Sequence, residues 1–480
     1  MSLVLLFLLF SGAAFAQEAI EREFARRVSQ QGLLSHVRNL VKIGNRFGGT
    51  PSGDSSAAFV HRKLSLYGLS SNVITDPERL TFAHKRWILR VREPRRLRNT
   101  IQHEWLAGYS PSAPRTQTRM VYLDWSDEIE SVVVESSAIL TPRPPDQKLY
   151  SELANAGAKA VIWYPDIPFN VYENHAYITQ LPATRENPIP MFNISAGNGK
   201  TLRESIEKDS LVTIEFLSET AVYSGSPSTV VAELKGKSDD YFIVCAHGDS
   251  DSAGPGADDN ASGVAGVLEV ARVLQSLVRE KRIPQPEYSI RFIVWGSEYF
   301  SSDHYVRSNV KELNRIKGVV NFDQIGTGAT RDCIYFESNE ISHNRQLLKV
   351  FEKVGEDYVG SRGFWKEATT NPSQGGTDSY VFLPDYLSRI KLPTVKIPST
   401  TIFTGAWNEP RTYPQTPGWS SSAWKGHPDS VTVDYSNFYH SSLDIPALTT
   451  EREPFNMAWV VKATGIALLR MAWVAESPSP

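Results

Sequence analysis

Cysteine is nearly absent from this chain: 480 residues contain two, Cys245 and Cys333, both inside apolar runs. That scarcity excludes a disulfide-stapled fold and a cysteine-rich zinc ribbon, and the two thiols read as buried side chains. Any metal held here must be bound by histidine and carboxylate. Long blocks of one charge are missing too. Lysine and arginine total 50 against 53 acids, a net charge of −3 with a pI near 6.4. The short basic stretch EPRRLRN at 93–99 reads as a solvated turn, so there is no electrostatic footprint for nucleic acid. Long hydrophobic runs are confined to the first residues, MSLVLLFLLFSGAAFA. That run falls short of the roughly 20 apolar residues a bilayer span needs, and it ends in an A-x-A pattern. It is expected to be a signal peptide over 1–16, cleaved after Ala16, with export to the periplasm or medium. The apolar tail NMAWVVKATGIALLRMAWVA is interrupted by Lys462 and Arg470 and suits a core helix, so no membrane span is expected in the mature chain.

What is present is an ordinary globular composition, 41% hydrophobic and 21% charged. Residues 17–104 read as the N-terminal part of the main domain. Residues 18–80 read as helical, since HVRNLVKIG and DSSAAFVHRKLSLYGL carry helical spacing, with Asp54 and Ser55 as expected N-caps and Gly68 as a stop. Over 105–222 the texture changes to short strands and turns (MVYLDW, SSAILTP, AKAVIWYP, IPMFNIS, LVTIEFL) around one helix, DQKLYSELANAGA. This is a compact β-rich insert. From 223 to 480 strands alternate with helices: STVVAELKG, YFIVCAH, the amphipathic SGVAGVLEVARVLQSLV, YSIRFIVWG, GVVNFDQIG and LPTVKIPST. Near-continuous apolar strands between helices predict an α/β, doubly wound, mostly parallel sheet covered on both faces.

In such sheets function collects at the carboxyl ends of the strands. YFIVCAHGDS ends in His247 and Asp249, and GADDNASG places Asp258 and Asp259 before the long helix. RFIVWGSE ends in Glu298, GVVNFDQIG carries Asp323, and NFYHSSLD offers His440 and Asp444. An Asp before a helix is usually a cap, and Asp258 reads as a cap or loop acceptor. The joint placement points to zinc, which takes imidazole nitrogen and carboxylate oxygen and keeps an open position when catalytic. Asp249, two residues after His247, is placed to hold the second ring N–H. Glu298, the one glutamate at a strand end in this group, is the natural proton carrier.

The series AHGDS, GADDNASG, VWGSE, NFDQIG and YHSSLD resembles the di-zinc exopeptidase family that includes aminopeptidase S, carboxypeptidase Q, glutamate carboxypeptidase and glutaminyl cyclase. The likeness runs in order over residues 30–475 and includes LVKIGNRFGGTPSG, STVVAELKG and a GGTD loop at Gly375–Asp378. Residues 105–222 resemble the protease-associated domain that some members insert, chiefly through LANAGAKAVIWY and IPMFNIS. The resemblance implies hydrolysis of a terminal bond in a peptide or dipeptide. It implies His247 and Asp323 on one zinc, Asp259 bridging, His440 on a second zinc, Asp249 orienting His247, and Glu298 as general base. Asp378 would orient a nearby backbone or His440.

One position departs from that pattern. The family's second zinc is held by a glutamate directly after the base, and this chain has Tyr299. A neutral phenol is a poor zinc ligand beside a carboxylate. Three outcomes follow: an enzyme with one tightly held zinc, a second site completed by Asp303 or His304, or a domain that binds without cutting. A shifted register, with Glu298 as ligand and Ser297 in the base position, favours the last. A glutaminyl-cyclase-like reaction on one zinc is a further reading, weakened because that site would retain the missing glutamate. The aromatic, Pro/Gly-rich stretch 405–425 is either a covering loop or a wall of the substrate pocket.

Overall fold

The computed structural model describes residues 17–473 apart from 130–133, 145, 167–171, 209–210, 251–252, 328–332, 338–342, 369–376 and 405–437. The expected signal peptide, the aromatic 405–425 stretch, both glycines of the GGTD loop and the side chain of Cys333 lie outside the described residues.

An eight-stranded sheet carries the fold. Its order is Ser70–Thr75, Ser228–Leu234, Tyr288–Trp295, Ser238–His247, Ile316–Phe322, Ser399–Phe403, Cys333–Glu337 and Glu367–Ala368. The four central strands, from Tyr288–Trp295 to Ser399–Phe403, are mutually parallel. The strands that flank them on either side pair antiparallel. Apolar residues along Ser238–His247 divide between two cores, as a strand buried on both faces requires. Phe242, Val244 and Ala246 enter one cluster with the helices Gln30–Ile43, Pro51–Leu66, Gly263–Arg279, Arg345–Tyr358 and Phe455–Met471. Tyr241, Ile243 and Cys245 enter another with Tyr305, Val306, Phe382 and Leu387. Cys245 is a buried free thiol.

Helix Gly263–Arg279 is wedged between the sheet and other helices, so its buried residues extend beyond a single amphipathic stripe and include Val270, Val273 and Leu277. Each such side chain removed from water is worth about 1.5–3 kcal/mol. The stretch Ala257–Arg279 is long and apolar enough to cross a membrane, yet 78% of its most apolar window is buried inside the fold. It is placed as a core helix.

Two local expectations are corrected. The second helix starts at Pro51, not after Asp54 or Ser55. Thr50 is its N-cap, accepting from the Gly53 N–H at 3.1 Å, and the proline behind it is preset for the first helical position. Asp54 instead accepts from the Ser228 hydroxyl at 2.8 Å. The helical texture also stops earlier than residue 80, because Ser70–Thr75 is an edge strand.

A second, seven-stranded sheet spans 79–225, in the order Arg79–Glu93, Thr213–Gly225, Ala113–Tyr122, Ala138–Thr141, Ala160–Trp163, Met191–Asn193 and Trp105–Leu106. It begins well before residue 105. The long antiparallel pair Arg79–Glu93 and Thr213–Gly225 is the stem by which the chain enters and leaves this unit. Arginines interleaved in RLTFAHKRWILRVRE blur its strand pattern in the sequence. The structure accounts for three of the unit's arginines, since Arg90, Arg92 and Arg115 all pair with Glu215, which is 5% exposed in its side chain.

The chain ends are tied by one buried ion pair. Glu21 accepts from Arg470 Nε and Nη2, each at 2.8 Å, and from the Tyr358 hydroxyl at 2.7 Å. Burial alone would raise the Glu21 carboxyl, but hydrogen bonds from Arg470, Tyr358 and Gln17 outweigh it and hold the pKa below its usual value. A group depressed in this way stabilises the fold above the ordinary carboxylate pKa and loses that contribution as pH falls through the lowered value. Glu21→Ala is therefore expected to cost about 3 kcal/mol at neutral pH. In urea denaturation the deficit against the wild-type protein should shrink progressively as the pH is taken down through the carboxylate range.

Candidate metal centre

The parallel strands of the first sheet deliver the site. His247 is the last residue of its strand, Asp323 directly follows Ile316–Phe322, and Glu298 lies three residues past Tyr288–Trp295. Asp259 sits in the turn Ala257–Ser262 ahead of the core helix, at φ −107° and ψ 92°. That turn depends on Gly256, whose φ is +57° and whose missing Cβ would stand 2.4 Å from Ser250 Cβ and 2.5 Å from the Asp259 carbonyl.

His247 Nε2 lies 3.3 Å from Asp259 Oδ1 and 3.6 Å from Asp323 Oδ1. Among the described residues these three form the group of buried metal-type ligands, with donor atoms within 4.8 Å of one another. Ligands about 2.1 Å from a tetrahedral zinc stand about 3.4 Å apart, so the spacing fits. The hydrogen bonds fit too. Asp323 Oδ2 accepts from the Thr377 hydroxyl at 2.7 Å, while Oδ1 is buried with no hydrogen-bond partner. His247 Nδ1 faces Asp249 Oδ1 at 3.2 Å and the Asp249 carbonyl at 3.1 Å. Both are acceptors, so Nδ1 carries the proton and the Nε2 lone pair is left toward the carboxylates. Burial disfavours the His247 cation, but the Glu298 charge and the adjoining carboxylates of Asp249, Asp259 and Asp323 outweigh it and lift the pKa well above its usual value. The pocket favours a positive charge at this point.

Glu298 is half-buried, and its backbone N–H donates to Asp249 Oδ1 at 3.0 Å. One carboxylate thus aims His247 and anchors Glu298. Burial, opposed by His247 and reinforced by Asp323, Asp378 and Asp259, drives the Glu298 pKa well above the carboxylate range. Asp378 holds the next step of chain: its Oδ1 accepts from the Tyr299 N–H at 3.0 Å and the Ser302 hydroxyl at 2.7 Å. Burial pushes its own pKa up to about 7. Tyr299 is pinned at φ +54°, and its ring packs against the cluster containing Trp295, Tyr305 and Phe382.

Asp303 and His304 are engaged elsewhere on their helix. Asp303 accepts from Arg307 Nε at 2.7 Å and the Tyr386 hydroxyl at 2.8 Å, and His304 Nε2 is 3.3 Å from the Ser308 hydroxyl. His440 Nε2 meets the other oxygen of Asp259 at 3.0 Å.

Three further residues support the site, of which only Arg46 leaves little signal in the sequence. Asp444 accepts from the Asp258 and Asp259 N–H groups at 2.8 and 2.9 Å, clamping the turn that carries Asp259. Asp258 is a loop acceptor, as its position suggests, taking the Gly326 N–H at 2.8 Å and the Thr327 hydroxyl. Burial pushes its pKa up to about 7. Arg46 is fully buried and donates to the carbonyls of Gly248, Pro255 and Gly256 at 3.3, 3.1 and 2.6 Å. It ties together both ends of the loop between His247 and Asp259. Burial lowers its pKa to about 10 against the pull of Asp444, Asp249 and Asp259. Its one trace in the sequence is its place in GNRFGG, where the glycines draw attention first.

Residues 229–464 match the family model described as Peptidase family M28. Aminopeptidase YwaD of Bacillus subtilis (strain 168) is 33% identical over 246 residues, which cover 49% of this chain and 46% of that protein. The probable lipoprotein aminopeptidase LpqL of Mycobacterium tuberculosis is 26% identical over 339 residues, 66% of this chain and 63% of that protein. The match with the first of these spans about half of that relative's length. Among solved structures, a Peptidase M28 precursor from Shewanella amazonensis superposes with a TM-score of 0.66 at 18% identity, covering 97% of this chain and 99% of that one. BSAP, a zinc aminopeptidase from Bacillus subtilis, gives a TM-score of 0.59 at 20% identity, with 94% and 97% covered. These two likenesses establish the mixed α/β fold.

Arg46→Lys keeps the charge but cannot reach three carbonyls, because an ammonium lacks the guanidinium's planar fork. It is expected to cost about 2 kcal/mol in urea denaturation and to weaken zinc uptake. Arg46→Met should cost more, since it leaves the surrounding carboxylates without their buried cation.

Proposed function

We propose that this chain, whose residues 229–464 match the model of peptidase family M28, is an exported zinc-dependent exopeptidase that removes N-terminal residues from peptides. The observation that carries the reading is the buried group of His247, Asp259 and Asp323, with Asp323 Oδ1 unpartnered and Glu298 at the adjacent strand end. Preference for the amino terminus over the carboxyl terminus follows the relatives, which are named aminopeptidases.

His247, Asp259 and Asp323 would hold a zinc ion, which would supply Lewis acidity toward a water and the scissile carbonyl. The chain's own residues do the rest. Asp249 keeps His247 in the tautomer that presents Nε2, and through the Glu298 N–H it fixes the base relative to the ligand. Glu298 takes the proton from the attacking water and returns it to the leaving amine. Burial among Asp323, Asp378 and Asp259 raises its proton affinity toward working pH, as such a shuttle requires. Asp378, by holding the Tyr299 N–H, keeps the Glu298 step from swinging.

One zinc is held tightly. The His440 half of the site keeps one imidazole and the second oxygen of Asp259, and the Tyr299 ring packs into an apolar cluster. Asp303 and His304 have partners of their own. The unit at 79–225 serves as the protease-associated-like insert, and residues 1–16 direct export.

Glu298→Ala should lower hydrolysis of aminoacyl anilides about 10²–10⁴-fold while zinc content stays at the wild-type value; unchanged turnover would sink the base assignment. Elemental analysis after dialysis should give one zinc per chain, and its removal by a chelator should abolish turnover. Intact mass of protein recovered from the periplasm or medium should correspond to a chain beginning at Gln17.

A further inference from the structure

His440 belongs to two parts of the molecule. Its Nε2 reaches Asp259, and the rest of the residue is held by the unit that carries the second sheet. The Tyr177 hydroxyl oxygen lies 3.5 Å from His440 Nδ1, and the two rings stack at a centroid distance of 6.0 Å and an interplanar angle of 26°. The backbones pair as well. The Ile178 N–H donates to the His440 carbonyl at 2.8 Å, Tyr177 and Ser441 form an antiparallel bridge, and the Ser442 N–H donates to the Ala176 carbonyl at 3.3 Å. The Tyr172 hydroxyl donates to the Tyr439 carbonyl at 3.0 Å, and the Ser442 hydroxyl to that of His103 at 2.8 Å. Behind this contact, Tyr177 packs on the second unit's core, with the Trp163 ring 6.2 Å away. His440 sits at φ +46°, in the left-handed region that few residues other than glycine adopt.

We propose that Tyr177 is the positioning residue for His440: its phenol oxygen receives the Nδ1–H, which leaves the Nε2 lone pair directed at a weakly held second cation shared with Asp259. A ligating imidazole needs its other N–H fixed by an acceptor, which sets both tautomer and ring direction. His247 has a carboxylate for this at 3.2 Å; His440 has a neutral phenol at 3.5 Å. A neutral acceptor raises ligand basicity less than an anion does, so the two histidines are unequal by construction. The second unit thereby becomes part of the metal centre, because the acceptor and the backbone that aims His440 both come from it. This inference rests on the zinc-hydrolase reading above.

The test is zinc titration of the full chain under chelator competition, comparing wild type, Tyr177→Phe and His440→Ala, with a thermal midpoint for each. Wild type should bind one zinc tightly and a second more weakly. Tyr177→Phe retains the ring and its stacking, so it should weaken only the second step, about tenfold, with the tight step and the thermal midpoint unmoved. His440→Ala should abolish the second step. Equal affinities in wild type and Tyr177→Phe would overturn the proposal, as would a wild type that takes no second zinc. A loss in both steps alike would mark Tyr177 as merely structural and overturn it too. Absence of any zinc uptake by wild type would bring down the zinc-hydrolase reading together with this one, whereas the other negative results leave that reading standing.

Discussion

Everything in this structure bends to the burial of many carboxylates around one point. Asp249, Asp258, Asp259, Asp323, Asp378 and Asp444 are all buried, and Glu298 stands half-buried beside them. Left to themselves such groups would protonate or pull water in, because an unpaired buried anion costs several kcal/mol. The chain answers mainly with backbone. N–H groups of Glu298, Tyr299, Asp258, Asp259 and Gly326 each donate to one of these carboxylates. The fully buried Arg46 adds a positive charge but directs its donors to carbonyls, steadying the loop rather than neutralising any single acid. What is left over is negative potential centred on His247 and Asp323, and that surplus is what a cation answers.

Backbone donors can serve this purpose only if the chain turns sharply at the right places, and the parallel sheet arranges that. Each central strand ends on the same edge, so the segments that follow 247, 295 and 322 leave the sheet together, and a few residues on, the Glu298 and Tyr299 amides reach the carboxylates. The sheet's rigidity comes from the two apolar clusters on its faces. The carboxylates that do not touch the cation group, Asp378, Asp444 and Asp258, hold the turns themselves. Their raised proton affinities are compatible with that role, since a carboxyl kept for its geometry can be partly neutral and still accept an N–H.

The sheet is legible in the sequence because strands buried on both faces read as unbroken apolar runs, and the core helix because its apolar stripe is long. The carboxylates and histidines at strand ends are legible for the same reason, since the strands place them. Arg46 is not, because a lone arginine in a glycine-rich turn looks the same whether it faces water or a buried loop. The start of the β-rich unit is hidden because Arg79–Glu93 interleaves arginines with its apolar residues, and the partner of Arg90 and Arg92, Glu215, lies far along the chain. The link between Tyr177 and His440 spans 263 positions, and no local pattern announces it.

Tyr299 acquires its meaning from this division. The group of His247, Asp259 and Asp323 is built wholly from the first sheet and the turn before its core helix, so it is held by a single core. His440 is held by the second unit and meets the first sheet's group through Asp259. A carboxylate at position 299 would sit on the chain just after Glu298 and could anchor the His440 half to the same strand end as the base. With a tyrosine there, whose ring instead completes an apolar cluster under the sheet, that anchor is gone. The His440 half then depends on how the second unit docks, while the His247 half and the base do not. On the proposed reading, Tyr299 therefore leaves the Glu298 proton shuttle untouched and loosens only the His440 side of the metal centre.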